Sequence, residues 1–445
     1  MDRRAQPDGS TLQKMDPIGI PELTKGRPMS ERSLPKIISV DDHVVEPRNL
    51  FETWLPKKFQ DRAPRVERRW IDMTTDAYHD TEAAEGEGLP ADVWIYGDSL
   101  YVPRRPVLIL KDVETSAELR DKEPVTYDEM HPACYVPSER IKLMDTQHVE
   151  ASLGFPSFPR FCGQAFSEQY TDDRELGMAC IRAYNDWMVE EWCGDSGGRL
   201  IPAQVVPLWD AELAAGEIRR NAARGVRAVT FSEIVGHLGF KNIHHKNWDP
   251  FFRACEETGT VVSMHIGSAS LMTTPPPDSA TVVVPILQFT NSLSSMADFV
   301  FSGVLDRFPA LKLAYSEGQA GWMPYAMERM DHAYEHHTWA LDDHRLEQPP
   351  SFYVRRNMFG CIFADKHAIR NAHQIGIDNL MFEVDFPHAD GPYPFTYEHL
   401  SSQFEGIDEE TTYKIVRGNA IRVYELDFDR DRVAPEPVAA AVAGS

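Results

Sequence analysis

Eight short apolar runs alternate with amphipathic stretches along this chain, and no other feature restricts its fold as strongly. The runs predict strands at Lys36–Asp41, Glu150–Phe155, Arg199–Val206, Val226–Phe231, Thr258–His265, Leu311–Ser316, Asn357–Phe363 and Asn379–Asp385. The amphipathic stretches predict helices over Asp172–Trp192, Ala211–Ala223, Asp249–Glu257, Pro285–Arg307, Gly321–Trp339 and Asp365–Gln374, with a closing helix over Asp408–Tyr424. Strand, helix and strand in succession form a parallel βαβ unit, and eight such units close on themselves. The expected architecture is α/β, a (β/α)8 TIM barrel.

Length alone leaves the fold open, because 445 residues could hold two or three domains as well as one barrel with insertions. Residues 1–34 are polar and unpatterned, and the chain is Pro/Ala-rich from about Arg432. Flexible ends are therefore expected over 1–34 and 426–445, around a barrel over 35–425. Residues 63–137 break the alternation, with an acidic stretch from Asp76 to Glu87 and strand-like pieces at Asp92–Tyr96 and Pro106–Leu110. An excursion after the first strand falls at the carboxyl-end face, where barrels keep their active sites. It reads as a lid or dimer contact, or as surface elaboration.

The formal net charge of −24 argues against nucleic acid or an anionic membrane as partner. No apolar run approaches the roughly 18 residues of a spanning helix, and Met1–Arg32 lacks the apolar core of a signal peptide, so a cytoplasmic protein is expected. The six cysteines, Cys134, Cys162, Cys180, Cys193, Cys255 and Cys361, are scattered without a Cys-x-x-Cys, which indicates neither a disulfide framework nor a thiolate zinc site.

The first run, Ile37-Ile38-Ser39-Val40, ends in Asp41-Asp42-His43. Side chains of a strand alternate faces, so Asp41 and His43 point one way and Asp42 the other. An Asp-x-His pair can grip one metal ion, although the same tripeptide also makes ordinary turns. Other runs end in similar residues: Ser232-Glu233, Met264-His265-Ile266-Gly267, Ser316-Glu317-Gly318 and Glu383-Val384-Asp385-Phe386-Pro387-His388. Singly, His265 could be a core histidine, Asp385 a turn-former, and Glu233 a cap of the following helix or a partner of a backbone amide. In a barrel these strand ends converge on one rim, which points to a metal site. His332, Glu335, His336 and His337 read differently, because the apolar face of their helix is Met323, Met327, Met330 and Tyr334, and the histidines fall in solvent.

The set Ser39-Val40-Asp41-Asp42-His43-Val44-Val45-Glu46-Pro47, Ala183-Tyr184-Asn185-Asp186-Trp187, Met264-His265-Ile266-Gly267, Glu317-Gly318-Gln319-Ala320-Gly321-Trp322-Met323-Pro324, Asp385-Phe386-Pro387-His388 and Arg417-Gly418-Asn419-Ala420 resembles the amidohydrolase superfamily. The likeness is to the branch of aminocarboxymuconate semialdehyde decarboxylase and related aromatic-acid decarboxylases, over Ile37 to about Tyr424. It implies one divalent metal ion at the barrel mouth, held by Asp41 and His43, by His265, and by Asp385, which can also move a proton. The leading position of the family's His-x-His is Asp41 here, and oxygen-rich ligation tilts the choice from Zn²⁺ toward Mn²⁺, Mg²⁺ or Fe²⁺. The family's histidine after the sixth strand is Glu317 here, which could be a general base, an extra ligand or the support of one. His388 would hold a substrate carboxylate or steady Asp385.

The expected function is that of a metal-dependent enzyme, foremost a non-oxidative decarboxylase of a small aromatic or ring-derived acid, with Asp385 shuttling the proton and Glu317 and His388 assisting. A metal-dependent hydrolase of an amide, ester or C–C ketone starts from the same ligands, and a non-catalytic ligand-binding barrel is the remaining reading. The expected partner is a small-molecule substrate recognised by the insertion and the loop Ser268–Ser279, in a homodimer or larger homo-oligomer.

Overall fold

The computed structural model describes residues 33–72, 81–111, 123–168, 173–276, 278–280, 282–341 and 345–429. Nearly all of the two expected flexible ends, much of the acidic stretch from Asp76, and Pro277 of the substrate loop lie outside the described residues.

Twelve strands occur among the described residues. β1 (Ile37–Val44) is followed by β2 (Arg65–Asp72), β3 (Thr81–Ala83), β4 (Leu89–Tyr96) and β5 (Ser99–Tyr101). Then come β6 (Val149–Pro156), β7 (Leu200–Gln204), β8 (Ala228–Phe231), β9 (Val261–His265), β10 (Leu313–Ser316), β11 (Met358–Ile362) and β12 (Leu380–Phe382). β1 and β6 to β12 form one eight-stranded parallel sheet in chain order, each core overlapping a strand expected from the apolar runs. Segments beyond β12 close it: the Asp385 amide donates to the Asp41 carbonyl at 2.8 Å, and the His43 amide to the Phe386 carbonyl at 2.6 Å. The molecule is the TIM barrel that the alternation demanded.

An apolar cluster that includes Ile38, Val40, Leu153, Phe155, Ala203, Val261, Ala314 and Met381 fills the barrel and includes Ala420, Ile421 and Tyr424 of the closing segment. A larger cluster packs helices against the outer strand faces. Along β1 the register with β6 slips between Ser39 and Asp42, so three steps on β1 face two on β6. That extra residue changes the parity of the strand. Ile38 and Val40 point inward below the bulge, and Asp41 and His43 do so above it.

β2 to β5 form a separate antiparallel sheet, ordered β3-β2-β4-β5, in the excursion between β1 and β6. Its Trp94 stacks on Phe158 just past β6 at 4.6 Å, and the Pro106 carbonyl accepts from the Ala389 amide near the barrel mouth. The strand-like piece at Pro106–Leu110 is not a strand: Arg105–Val107 is a 3₁₀ turn, because Pro106 has no N–H to give a ladder. A helix absent from the sequence expectation spans Pro137–Thr146; its buried residues are Arg140 and Met144, so it carries no apolar stripe to detect. The helix expected over Pro285–Arg307 is three pieces, Val283–Leu287, Phe289–Phe301 and Val304–Arg307, the last break falling at left-handed Gly303. His332 and His336 lie exposed on the helix Met323–His336 with their rings stacked. Among the described residues no helix is long and apolar enough to cross a membrane.

Candidate metal centre

The residues singled out at strand ends converge. His43 Nε2 lies 3.2 Å from Asp385 Oδ1, 3.7 Å from Asp41 Oδ1 and 3.2 Å from His265 Nε2. His265 Nε2 lies 3.4 Å from Asp41 Oδ2 and 3.6 Å from Glu317 Oε1. His388 Nδ1 meets Asp385 Oδ1 at 2.8 Å and Glu317 Oε1 at 3.3 Å. Ligand atoms of Asp41, His43, His265 and Glu317 lie mutually within 4.8 Å, as do those of His43, Glu317, Asp385 and His388. Glu317 belongs to both groups, which places it among the candidate ligands and not only beside them.

Backbone conformation delivers the acids. Asp385, three residues beyond β12, has φ of 55°, and Glu317, one residue beyond β10, also has φ of 55°. A non-glycine residue in this region is unusual and marks a place where the surrounding structure fixes the chain. Gly318 follows Glu317 with no room for a side chain, since a Cβ there would lie 2.7 Å from Ser292 Oγ. His265 is oriented from both sides: its Nδ1 faces the Ile266 carbonyl at 2.6 Å, leaving Nε2 for the cluster, and Phe161 stacks on its ring at 4.2 Å. His43 and His388 stack at 3.8 Å.

The electrostatics call for a cation. Asp41, His43, His265 and Asp385 are at most 1% exposed, whereas Glu317 at 11% and His388 at 14% form the open side. Both carboxylate oxygens of Asp41 and Oδ1 of Asp385 accept no hydrogen bond. A buried carboxylate without donors is costly unless a cation or a proton meets it. Burial, then neighbouring Glu383, Glu317 and Asp385, raises the Asp41 carboxyl well above its usual range, and burial with Glu317 does the same to Asp385. Burial lowers His43 well below its ordinary value and also lowers His265, against the opposing pull of Glu317, which favours the neutral imidazole that a ligand needs. For Glu317, burial opposes ionisation, but His265 and His388 outweigh it and draw it down to about 2. A divalent ion fits this donor set of two imidazoles and clustered carboxylates.

Two further acids support the cluster. Glu383, fully buried, accepts the Glu317 amide at 3.1 Å and so fixes the turn that carries Glu317. Its spacing of two from Asp385 was a strand-face signal. Asp42 points away from the cluster as alternation required, accepting Ser39 Oγ at 3.0 Å, Ser152 Oγ, and the Phe386 amide at 3.1 Å. Arg140, 3.9 Å from Asp42, donates to the His43 carbonyl at 2.5 Å and the Ala133 carbonyl at 2.8 Å. Nothing local in the sequence marks Arg140 or Phe161. Glu233 does not cap the turn that follows it; its carboxylate accepts from Ser292 Oγ at 2.7 Å, across on the helix Phe289–Phe301.

The family model described as Amidohydrolase matches residues 100–426, and the chain belongs to that family of enzymes, as its motifs implied. The match begins after β1, so the Asp41–His43 pair joins the site through geometry alone. Comparison with curated proteins finds no match. Among solved structures, an amidohydrolase of Mycobacterium avium subsp. paratuberculosis K-10 is 23% identical, over 88% of this chain and 99% of its own, with a TM-score of 0.63. The 5-carboxyvanillate decarboxylase LigW of Sphingomonas paucimobilis is 22% identical, over 66% and 84%, with a TM-score of 0.52. A dihydroxybenzoic acid decarboxylase of Polaromonas sp. JS666, with bound manganese and the inhibitor 2-nitroresorcinol, is 16% identical, over 88% and 97%, with a TM-score of 0.52. At these identities the likeness establishes the shared barrel.

Proposed function

We propose that this chain is a metal-dependent decarboxylase of a small aromatic or ring-derived acid, its ion held by Asp41, His43, His265 and Asp385 with Glu317 as an added ligand or its support. The observation that carries the reading is the pair of buried carboxylates, Asp41 and Asp385, whose partnerless oxygens face imidazole nitrogens. The structural neighbours that decarboxylate aromatic acids, one of them with manganese, favour this reaction and favour Mn²⁺ among Mn²⁺, Zn²⁺, Fe²⁺ and Mg²⁺. When bound, such an ion supplies Lewis acidity toward a substrate oxygen.

The chain's own residues supply the proton. Asp385, supplied with a proton through His388, delivers it to the ring carbon that bears the carboxylate; the carbon–carboxyl bond then breaks, its electron pair stays on the ring, and CO₂ leaves. His388, 2.8 Å from Asp385 on the open side, passes a proton to it from solvent and steadies it. Glu317 holds His388 from the other side. The reaction needs no redox partner.

The same reading assigns the 63–137 excursion to one wall of the mouth, takes residues 35–425 as the catalytic unit, and expects a homodimer or larger. Cysteines without a disulfide suit a cytoplasmic protein. The test is CO₂ release from a panel of hydroxybenzoates by Mn²⁺-supplemented protein, with Asp385→Asn as control. Release lost in the variant supports the proposal. Hydrolysis of esters, amides or diketones without CO₂ release would move the function to the hydrolase reading.

A further inference from the structure

His332 and His336 stand one turn apart on the helix Met323–His336 and belong to neither group of ligand atoms in the barrel cluster. The helix turns Met323, Ala326, Met327 and Met330 into the core, which leaves both histidines on its solvent face. Side chains at i and i+4 are neighbours on a helix, their Cβ atoms about 6 Å apart. Here the two rings lie together, centroids 4.0 Å apart and planes at 25°. His336 Nδ1 faces the His332 carbonyl at 2.9 Å, the place of a donor, so its Nε2 keeps the lone pair for a ligand bond.

The surroundings favour a cation. His336 lies in the last turn of the helix, where the aligned peptide dipoles end in partial negative charge. The helix carries Glu328, Asp331 and Glu335 against Arg329, and exposed Glu335 is three residues from His332, again a neighbouring position. Two imidazoles that share one ion at about 2.0–2.1 Å have their nitrogens roughly 3 Å apart, which a small tilt of stacked, exposed rings provides. Such a pair also selects differently from the buried cluster. Imidazole nitrogens favour Cu²⁺, Ni²⁺ and Zn²⁺, whereas clustered carboxylates suit Mn²⁺.

We propose that His332 and His336 form a second metal site, a surface chelate for a nitrogen-preferring divalent ion of the Cu²⁺, Ni²⁺ and Zn²⁺ class. The site shares no residue with the barrel cluster and does not depend on the reaction proposed there. Holding the second imidazole beside the first raises affinity over a lone histidine on the order of 10²-fold. With two imidazoles in open solvent the ion exchanges freely, so the site fills from added metal and empties when metal is withheld.

The experiment titrates the full chain, first loaded with Mn²⁺, with Cu²⁺ and Ni²⁺ by isothermal calorimetry, and records the Cu²⁺ electron paramagnetic resonance spectrum. One Cu²⁺ equivalent is expected to bind with nitrogen hyperfine structure and ahead of Ni²⁺. His332→Asn and His336→Asn should each weaken it on the order of 10²-fold, with the Mn²⁺ content of the barrel unchanged. His337→Asn, exposed but one position out of register, should leave it intact. All three side chains are exposed, so the variants keep the fold, which circular dichroism checks. Unchanged affinity in either of the first two variants, or an equal loss in His337→Asn, overturns the proposal. That result leaves the barrel site untouched, and an absence of CO₂ release in parallel assays leaves this chelate untouched.

Discussion

The main-chain amide of Asp385 donates to the carbonyl of Asp41 at 2.8 Å, so the last and first barrel segments are joined where each brings a carboxylate into one cluster. Barrel closure and site assembly are therefore the same event. Asp385→Asn keeps the backbone bond and side-chain size but removes the carboxyl proton. Turnover should fall about 10²–10⁴-fold, the usual weight of a general acid, while the fold persists. Steady-state rates beside circular dichroism check this, and a variant with near-normal turnover would remove Asp385 from its role.

Arg140 should matter to stability far more than its position on a short helix suggests. It is 1% exposed, donates to the His43 and Ala133 carbonyls, and lies against the Phe386 ring at 4.4 Å. Arg140→Met leaves Asp42 buried without its cation and should cost about 3–5 kcal/mol. Urea unfolding of the variant measures it.

Glu46 sets a pH dependence. It is buried at 0% exposure, and burial pushes its carboxyl up to about 7 against the opposing Phe158 and Ser157 amides. A carboxyl whose folded value lies above its unfolded value stabilises the fold when protonated. Its contribution is complete below about pH 4.5 and is lost as pH rises through about 7, a change on the order of 3 kcal/mol. Glu46→Gln should flatten the stability profile between these limits, as read by denaturant midpoints across pH.

Gly318→Ala tests the turn that carries Glu317. The added Cβ would meet Ser292 Oγ at 2.7 Å, the same hydroxyl that serves Glu233. Overpacking of this kind costs about 1–3 kcal/mol. It should also displace Glu317, so metal retention should fall along with the thermal midpoint.

The sequence disclosed residues whose chemistry is local and hid those whose role comes from packing. Asp41, His43, His265, Glu317, Asp385 and His388 stand where apolar runs end, and a barrel brings such ends to one rim. Strand alternation even separated Asp41 and His43 from Asp42. What alternation missed is the bulge between Ser39 and Asp42, without which Asp41 and His43 would share a face with Ser39 instead of with Ile38 and Val40. Arg140 was invisible because an arginine on the buried face of a helix breaks the apolar pattern that reveals helices. Phe161, stacked on His265, lies in a loop with no periodicity at all. Glu383 had a signal in its spacing from Asp385, but its partner, the Glu317 amide, belongs to another strand end.

The claim on which the rest depends is that the cluster holds a divalent ion, and metal content measured by elemental analysis on protein purified without added metal tests it most directly. The account predicts about one equivalent of a divalent transition metal per chain, lost in His265→Ala while the barrel still folds. Protein that contains no metal and takes up none from Mn²⁺, Zn²⁺ or Fe²⁺, or a His265→Ala variant that retains a full equivalent, would contradict it.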